Sequence, residues 1–141
     1  MTVHWRQVVL DTTDPRGLAE FYRQLLEYEY RAGDEPPAPG DPDPHGEDWL
    51  VLRKPGADMG IAFQKVDALP VPTWPEDGVP QQLHLDLTVA TTAELEAEHD
   101  RVLGMGAHLR YDRFDDPEEP LRVYADPAGH PFCIFVAEPP A

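Results

Sequence analysis

Between Leu83 and Val89 the chain alternates: Leu83, Leu85, Leu87 and Val89 are apolar, while His84, Asp86 and Thr88 are polar. A period of two predicts a strand, here over 81–89, whose second face carries an imidazole, a carboxylate and a hydroxyl. The expectation is a strand buried on both faces with a polar interior. At Thr91 the period lengthens. Thr91 and Glu94 form a capping-box pattern, and Leu95, Val102 and Leu103 give an apolar helical stripe that stops at Gly104 and Gly106.

The same strand-then-helix pattern occurs once earlier. Gln7 to Thr13 precedes a helix with Asp14 as cap, Pro15 in its first turn, and a stripe of Leu18, Phe21, Tyr22 and Leu25. Superposing the two stretches sets Gln7 on His84, Val9 on Asp86, Asp11 on Thr88 and Asp14 on Thr91, which reads as two copies of one unit. The first copy continues with short strands over 28–32, 48–53 and 59–66, with a turn at Lys54-Pro55-Gly56. The second continues with a helix over 92–103, strands over 107–111, 120–125 and 131–137, and a tight turn through Asp126-Pro127-Ala128-Gly129-His130-Pro131. Each copy reads strand, helix, strand, strand, strand, with one sheet face left open by its helix.

The 17 prolines cluster rather than scatter: in 35–44, in 69–75, around Pro117 and Pro120, and at Pro139-Pro140. Lacking an amide proton, they mark loops. Residues 34–47 form an acidic loop read as a mobile lid or disorder, and 69–79 a linker between modules 1–68 and 80–141. A chain of 141 residues fits one compact domain built from both modules. With no apolar run long enough to span a bilayer and no signal-peptide pattern at the start, the expected location is the cytoplasm. The single cysteine, Cys133, excludes an internal disulfide. A net charge of -16 repels phosphate backbones, so nucleic acid is excluded as a partner. The acidity otherwise makes a solvated surface, with a preference for cationic ligands as the sharper alternative.

His-Leu-Asp-Leu at 84–87, Val-Tyr-Ala-Asp-Pro-Ala-Gly-His-Pro-Phe-Cys-Ile-Phe at 123–135, and the doubled strand–helix openings together resemble the vicinal oxygen chelate superfamily. Within it the chain is most similar to glyoxalase-like proteins, a group related to glyoxalase I, bleomycin-resistance proteins and extradiol dioxygenases. The resemblance implies an α+β fold in which two βαβββ modules form a cup-shaped mixed sheet with helices outside and a central pocket, paired within one chain or across a homodimer. In metal-bearing members two ligands come from each module, on its first and last strands. The matching positions here are Gln7, His84, Cys133 and Gln64, or Ala62 with a shifted register. Amides and a thiol do not replace the carboxylates that oxygen-loving cations need. No metal and no other cofactor are therefore expected, with a divalent ion as the alternative.

His84 and Asp86, two residues apart on one face, form the candidate acid–base pair. Cys133, between Phe132 and Ile134, reads first as a packed small hydrophobe. Gln7, Gln64, His84, Cys133, Trp49 and Tyr111 are the expected pocket residues. Trp5, Trp74 and Phe114 are further aromatics that can wall it, and Arg6, Arg53, Arg110 and Arg122 are candidate counter-ions. The leading reading is a protein that binds a small aromatic or apolar molecule. The alternative is a metal-dependent or acid–base lyase, isomerase or dioxygenase using His84. An interaction module built on the acidic loop rests on charge alone.

Overall fold

The computed structural model describes residues 2–57 and 59–138; the Pro139-Pro140 tail lies outside them. The chain divides into two compact units, 1–69 and 70–141, both α+β and both built on one plan.

In the first unit, β1 (Gln7–Thr12), α1 (Pro15–Leu26), β2 (Glu29–Tyr30), β3 (Trp49–Arg53) and β4 (Gly60–Lys65) follow one another. The sheet order is β1-β4-β3-β2, with β1 parallel to β4 and the other pairs antiparallel. Asp14 caps α1 by accepting from the Gly17 amide at 3.1 Å, and Pro15 occupies the first turn, where no amide proton is missed. One face of α1 buries Leu18, Ala19, Phe21 and Tyr22. Tyr22 stacks on Phe63 with centroids 5.9 Å apart, and Phe63 shares a sheet row with Leu10 and Leu50, both solvent-excluded. That apolar layer is the core of the unit.

The second unit repeats the order with β5 (Leu85–Val89), α2 (Thr92–Gly104), β6 (His108–Arg113), β7 (Leu121–Ala125) and β8 (Pro131–Val136), in a sheet ordered β5-β8-β7-β6. Both halves of the α2 capping box are made: Thr91 Oγ1 accepts from the Glu94 amide at 3.1 Å and Glu94 Oε2 accepts from the Thr91 amide at 3.2 Å. Leu95 and Val102 of α2 are fully buried. The sheet face under the helix holds Tyr124 stacked on Phe132 at 5.3 Å. His99 of α2 faces the Tyr124 hydroxyl at 2.8 Å, which makes it a structural residue. The same face takes Arg122, 6% exposed, bound to Glu96 at 2.6 Å and Asp112 at 3.2 Å with its guanidinium 4.5 Å over Phe114. Arg122 and Phe114 are thus committed to each other rather than to a ligand.

Two stretches differ from the sequence expectation. The acidic loop 34–47 is tied down at several points. Asp34, 1% exposed, accepts from the Val51 amide at 3.0 Å. Arg16 grips both carboxylate oxygens of Asp43, at 2.8 and 2.9 Å, and donates to the Asp34 carbonyl at 2.7 Å. Prolines had flagged a segment without secondary structure, and they say nothing about side-chain clamps. The stretch 69–79 is also ordered: from 70 onward it packs with the second unit. The Thr73 amide donates to the Val79 carbonyl at 2.9 Å, and Arg110 of β6 donates to the Thr73 carbonyl at 2.9 Å and pairs with Glu76 at 3.1 Å.

The Arg16 clamp makes a checkable prediction. Its guanidinium holds the Asp43 carboxyl below the ordinary range, so the folded pKa lies under the unfolded one. The stabilisation is complete above the ordinary Asp pKa and is lost as pH falls below about 4. Arg16→Ala should cost about 1 kcal/mol and raise amide exchange across 34–47 at neutral pH. The wild type should show the same loosening only in acid.

Candidate functional site

The sheet face of the second unit that points away from α2 is floored by two cross-strand rows. Asp86, Cys133, Val123 and Tyr111 are consecutive partners across β5, β8, β7 and β6, and Thr88, Phe135, Leu121 and Arg113 form the next row. A register shift between Leu109 and Tyr111 marks a bulge in β6, which re-aims Tyr111 and Arg113 onto this face. Over the floor lies an open cleft of about 500 Å³, walled by Trp74 and Pro75 of the 70–79 loop and by Glu119.

His84 sits one residue before β5 rather than within it, because the regular pairing with β8 begins at Leu85. The strand is also not buried on its polar face: Asp86 and Thr88 are exposed, since that face is the floor of the cleft. His84 is held on three sides. Trp74 stacks on its ring with centroids 4.7 Å apart and planes 12° from parallel. Its Nδ1 lies 3.0 Å from Gln81 Oε1 and its Nε2 lies 3.2 Å from Asp86 Oδ1. Cys133 is 3% exposed. Burial first, then the adjacent Asp86 charge and the hydrogen bond to that carboxylate, push its thiol up to about 11. At neutral pH it is an inert thiol, not a nucleophile.

Three of the six expected pocket residues, His84, Cys133 and Tyr111, therefore meet in one cleft, together with Asp86 of the expected acid–base pair. The other three lie in the first unit. Trp49 and Gln64 are cross-strand partners on β3 and β4, and the Gln7 amide oxygen is 3.5 Å from Arg53 Nη2. Combined with the repeat that sets Val9 on Asp86, the registers place Ala62 rather than Gln64 at the position of Cys133. Val9 pairs with Ala62 as Asp86 pairs with Cys133, while Gln64 falls where Phe135 does. The first unit thus repeats the row as Val9, Ala62 and Val51, without polar atoms in its side chains.

The metal centre implied by the resemblance is poorly provided for. Of its positions, Ala62 offers no donor, Gln7 an amide, and Cys133 a thiol unsuited to oxygen-loving cations. A different set does converge: one ligand atom each from His84, Asp86 and Cys133, all within 4.8 Å of one another. Asp86 entered this set because the sheet pairs it directly with Cys133, a long-range relation that alternation along one strand does not reveal.

Sequence reasoning missed Gln81, Arg113, Glu119 and Phe135 and left Trp74 as one aromatic among several. The signal for Gln81 was its position three residues before His84. Nothing local marked Glu119, which reaches the cleft from the loop between β6 and β7. Arg110 holds the 70–79 loop instead of facing a ligand. An alkylation series checks the thiol. In metal-free protein, Cys133 should react very slowly with iodoacetamide near neutral pH and accelerate towards pH 11. Asp86→Asn, which removes the neighbouring negative charge, should speed the reaction at any fixed pH below that.

The model of the glyoxalase-like domain matches residues 7–135, and no curated protein matches the chain. Solved structures share the fold. A glyoxalase/bleomycin resistance protein/dioxygenase family enzyme from Burkholderia phytofirmans PsJN superposes with a TM-score of 0.66 at 15% identity, over 96% of this chain and 100% of that one. A mutant of the fosfomycin resistance protein FosX from Listeria monocytogenes, complexed with Mn(II) and 1S,2S-dihydroxypropylphosphonic acid, gives 0.66 at 15% identity, over 98% and 95%. TnmS3, an antibiotic binding protein from Streptomyces sp. CB03234, gives 0.59 at 19% identity, over 98% and 99%. With the family model spanning both strand–helix units, the chain belongs to the glyoxalase-like domain family of the vicinal oxygen chelate superfamily.

Proposed function

We propose that the cleft of the second unit binds a flat small molecule, and that binding requires no manganese-type centre of the kind seen in FosX. The observation that carries this reading is the Trp74–His84 stack standing beside Tyr111, which is 47% exposed. An indole already held parallel to a ring at one wall, with a second aromatic face open to solvent, suits insertion of a planar body. TnmS3 shows that this fold can serve antibiotic binding without the chain sharing more than 19% of its residues.

The charges refine the ligand. Asp86 and Glu119 line the cleft, and the one guanidinium there, Arg113, is neutralised by Asp116 at 2.7 Å. The residual field is negative. A planar ligand bearing an amine at its edge gains from that field and from cation–π contact with the aromatic walls, whereas a phosphonate or carboxylate is repelled.

A thermal-shift screen of planar amines against planar acids tests this, with the protein kept in a chelator. Amines should raise the melting temperature and acids should not. Trp74→Leu should lower affinity for the best amine about tenfold while the fold remains intact. No stabilising amine, or full affinity after Trp74→Leu, would overturn the reading.

One geometric fact favours an acid–base enzyme as the second reading: the 3.2 Å contact of His84 Nε2 with Asp86. If a substrate is turned over, His84→Ala should reduce the rate by roughly 10²–10⁴-fold with little change in stability. Retained turnover would remove His84 from the chemistry.

A further inference from the structure

With 27 acids against 11 lysines and arginines, a cation in this chain finds a carboxylate almost by default. Eight of the eleven do: Arg16, Arg23, Arg31 and Lys65 of the first unit, and all four arginines of the second, each pair with an Asp or Glu. Among the described residues the three left over are Arg6, Arg53 and Lys54. All three line one hollow of about 250 Å³ in the first unit, together with Trp5, Met59 and Gly60. No described carboxylate lines it, and Trp5 is 74% exposed.

Backbone bonds fix this hollow. Lys54-Pro55-Gly56-Ala57 is a type II turn: the Ala57 amide donates to the Lys54 carbonyl at 3.0 Å, proline takes the second position, and glycine takes the third with φ of 82°. The Gly60 amide donates to the Arg6 carbonyl at 3.2 Å, and the Tyr28 hydroxyl donates to the Met59 carbonyl at 3.2 Å. Gly60 pairs with Gln7 in the sheet, and a Cβ there would come within 2.8 Å of the Leu52 carbonyl oxygen and 3.5 Å of the Arg53 side chain. Across that gap Arg53 Nη2 meets Gln7 Oε1 at 3.5 Å. A neutral partner thus orients the guanidinium and leaves its charge uncompensated. Lys54 Nζ likewise meets only the Leu26 carbonyl, at 3.5 Å. Glu29, the cross-strand partner of Arg53, lines the neighbouring hollow and makes no ion pair with it.

We propose that this hollow binds the phosphate group of a small phosphate monoester, with Trp5 packing against the body to which the phosphate is attached. A phosphate monoester carries a charge of about −1.5 to −2 at neutral pH and answers three converging cations better than the single charge of a carboxylate. Arg6 and Arg53 supply guanidinium forks and Lys54 a point charge. The net charge of the chain does not cancel them, because the Debye length at physiological salt is about 8 Å and distant acids are screened. The charge preference is the reverse of that in the second unit's cleft.

Inorganic phosphate and phenyl phosphate are the probes, titrated calorimetrically into the full chain. The indole N–H proton signal of Trp5, assigned by its loss in Trp5→Leu, is the local readout. One saturable site is expected, with phenyl phosphate bound about threefold to tenfold tighter than phosphate and that difference lost in Trp5→Leu. Arg6→Gln and Arg53→Gln should each weaken both probes about tenfold. Arg23→Gln, which removes one positive charge from α1 outside the hollow, should bind as the wild type does. Arg6 and Lys54 are exposed, so Arg6→Gln and Lys54→Gln carry the test if Arg53→Gln disturbs the sheet. The proposal is overturned by absence of saturable binding, by equal losses in Arg23→Gln and the hollow variants, or by benzoate binding as tightly as phenyl phosphate. Asp58 follows Ala57 in the sequence; binding that appears only in Asp58→Asn would make a carboxylate of this chain the occupant and overturn it too. The planar-amine screen reads the second unit, so each reading can fail without the other.

Discussion

The first and last strands of each unit must lie side by side and run in the same direction. In the second unit that constraint sets β5 against β8 in parallel, with Asp86 opposite Cys133. A parallel pair cannot be closed by a hairpin. The chain must leave, cross over, and return, and it does so through α2, β6 and β7. Every chemical feature of the cleft inherits its position from this closure. The helix covers one face, so the bare face collects Asp86, Cys133, Val123 and Tyr111 in a single row, and the strand's first turn away from the sheet aims His84 along the same side.

The two units show one strand plan carrying different side chains. In the first, the row equivalent to Asp86 and Cys133 is Val9, Ala62 and Val51, of which Ala62 and Val51 are solvent-excluded. In the second, the same row carries a carboxylate and a thiol. The three paired strands share one register in both units, and the side chains on them differ. This is why membership in the family fixes the fold and leaves the reaction open.

Much of this was legible in the sequence. Sequence patterns located the eight strands and two helices of the described residues, and the caps at Asp14 and Thr91 are local signals that marked where the helices begin. The internal repeat also aligned Gln7 with His84 and Val9 with Asp86 from the sequence alone. What escaped depended on contacts distant in sequence. The choice of Ala62 over Gln64 needed the pairing of β1 with β4. The clamp of Arg16 on Asp43, 27 residues away, and the contribution of Glu119 to the cleft left no trace in local pattern. Proline-rich stretches misled in the same way: they correctly mark absence of regular structure, but whether such a segment is held depends on partners elsewhere.

The turn after β7 carries one more implication. Gly129 has φ of 100°, and a Cβ placed there would come within 2.8 Å of Val71. The hydrogen in that position is a spacer as well as a conformational permit, for it lets the loop that carries Trp74 settle directly on the turn. The depth of the aromatic slot is therefore gauged from behind, by an atom that no bound molecule touches. Adjusting that slot need not involve its lining at all: a methyl group at position 129 would press from behind on Val71, three residues before the indole.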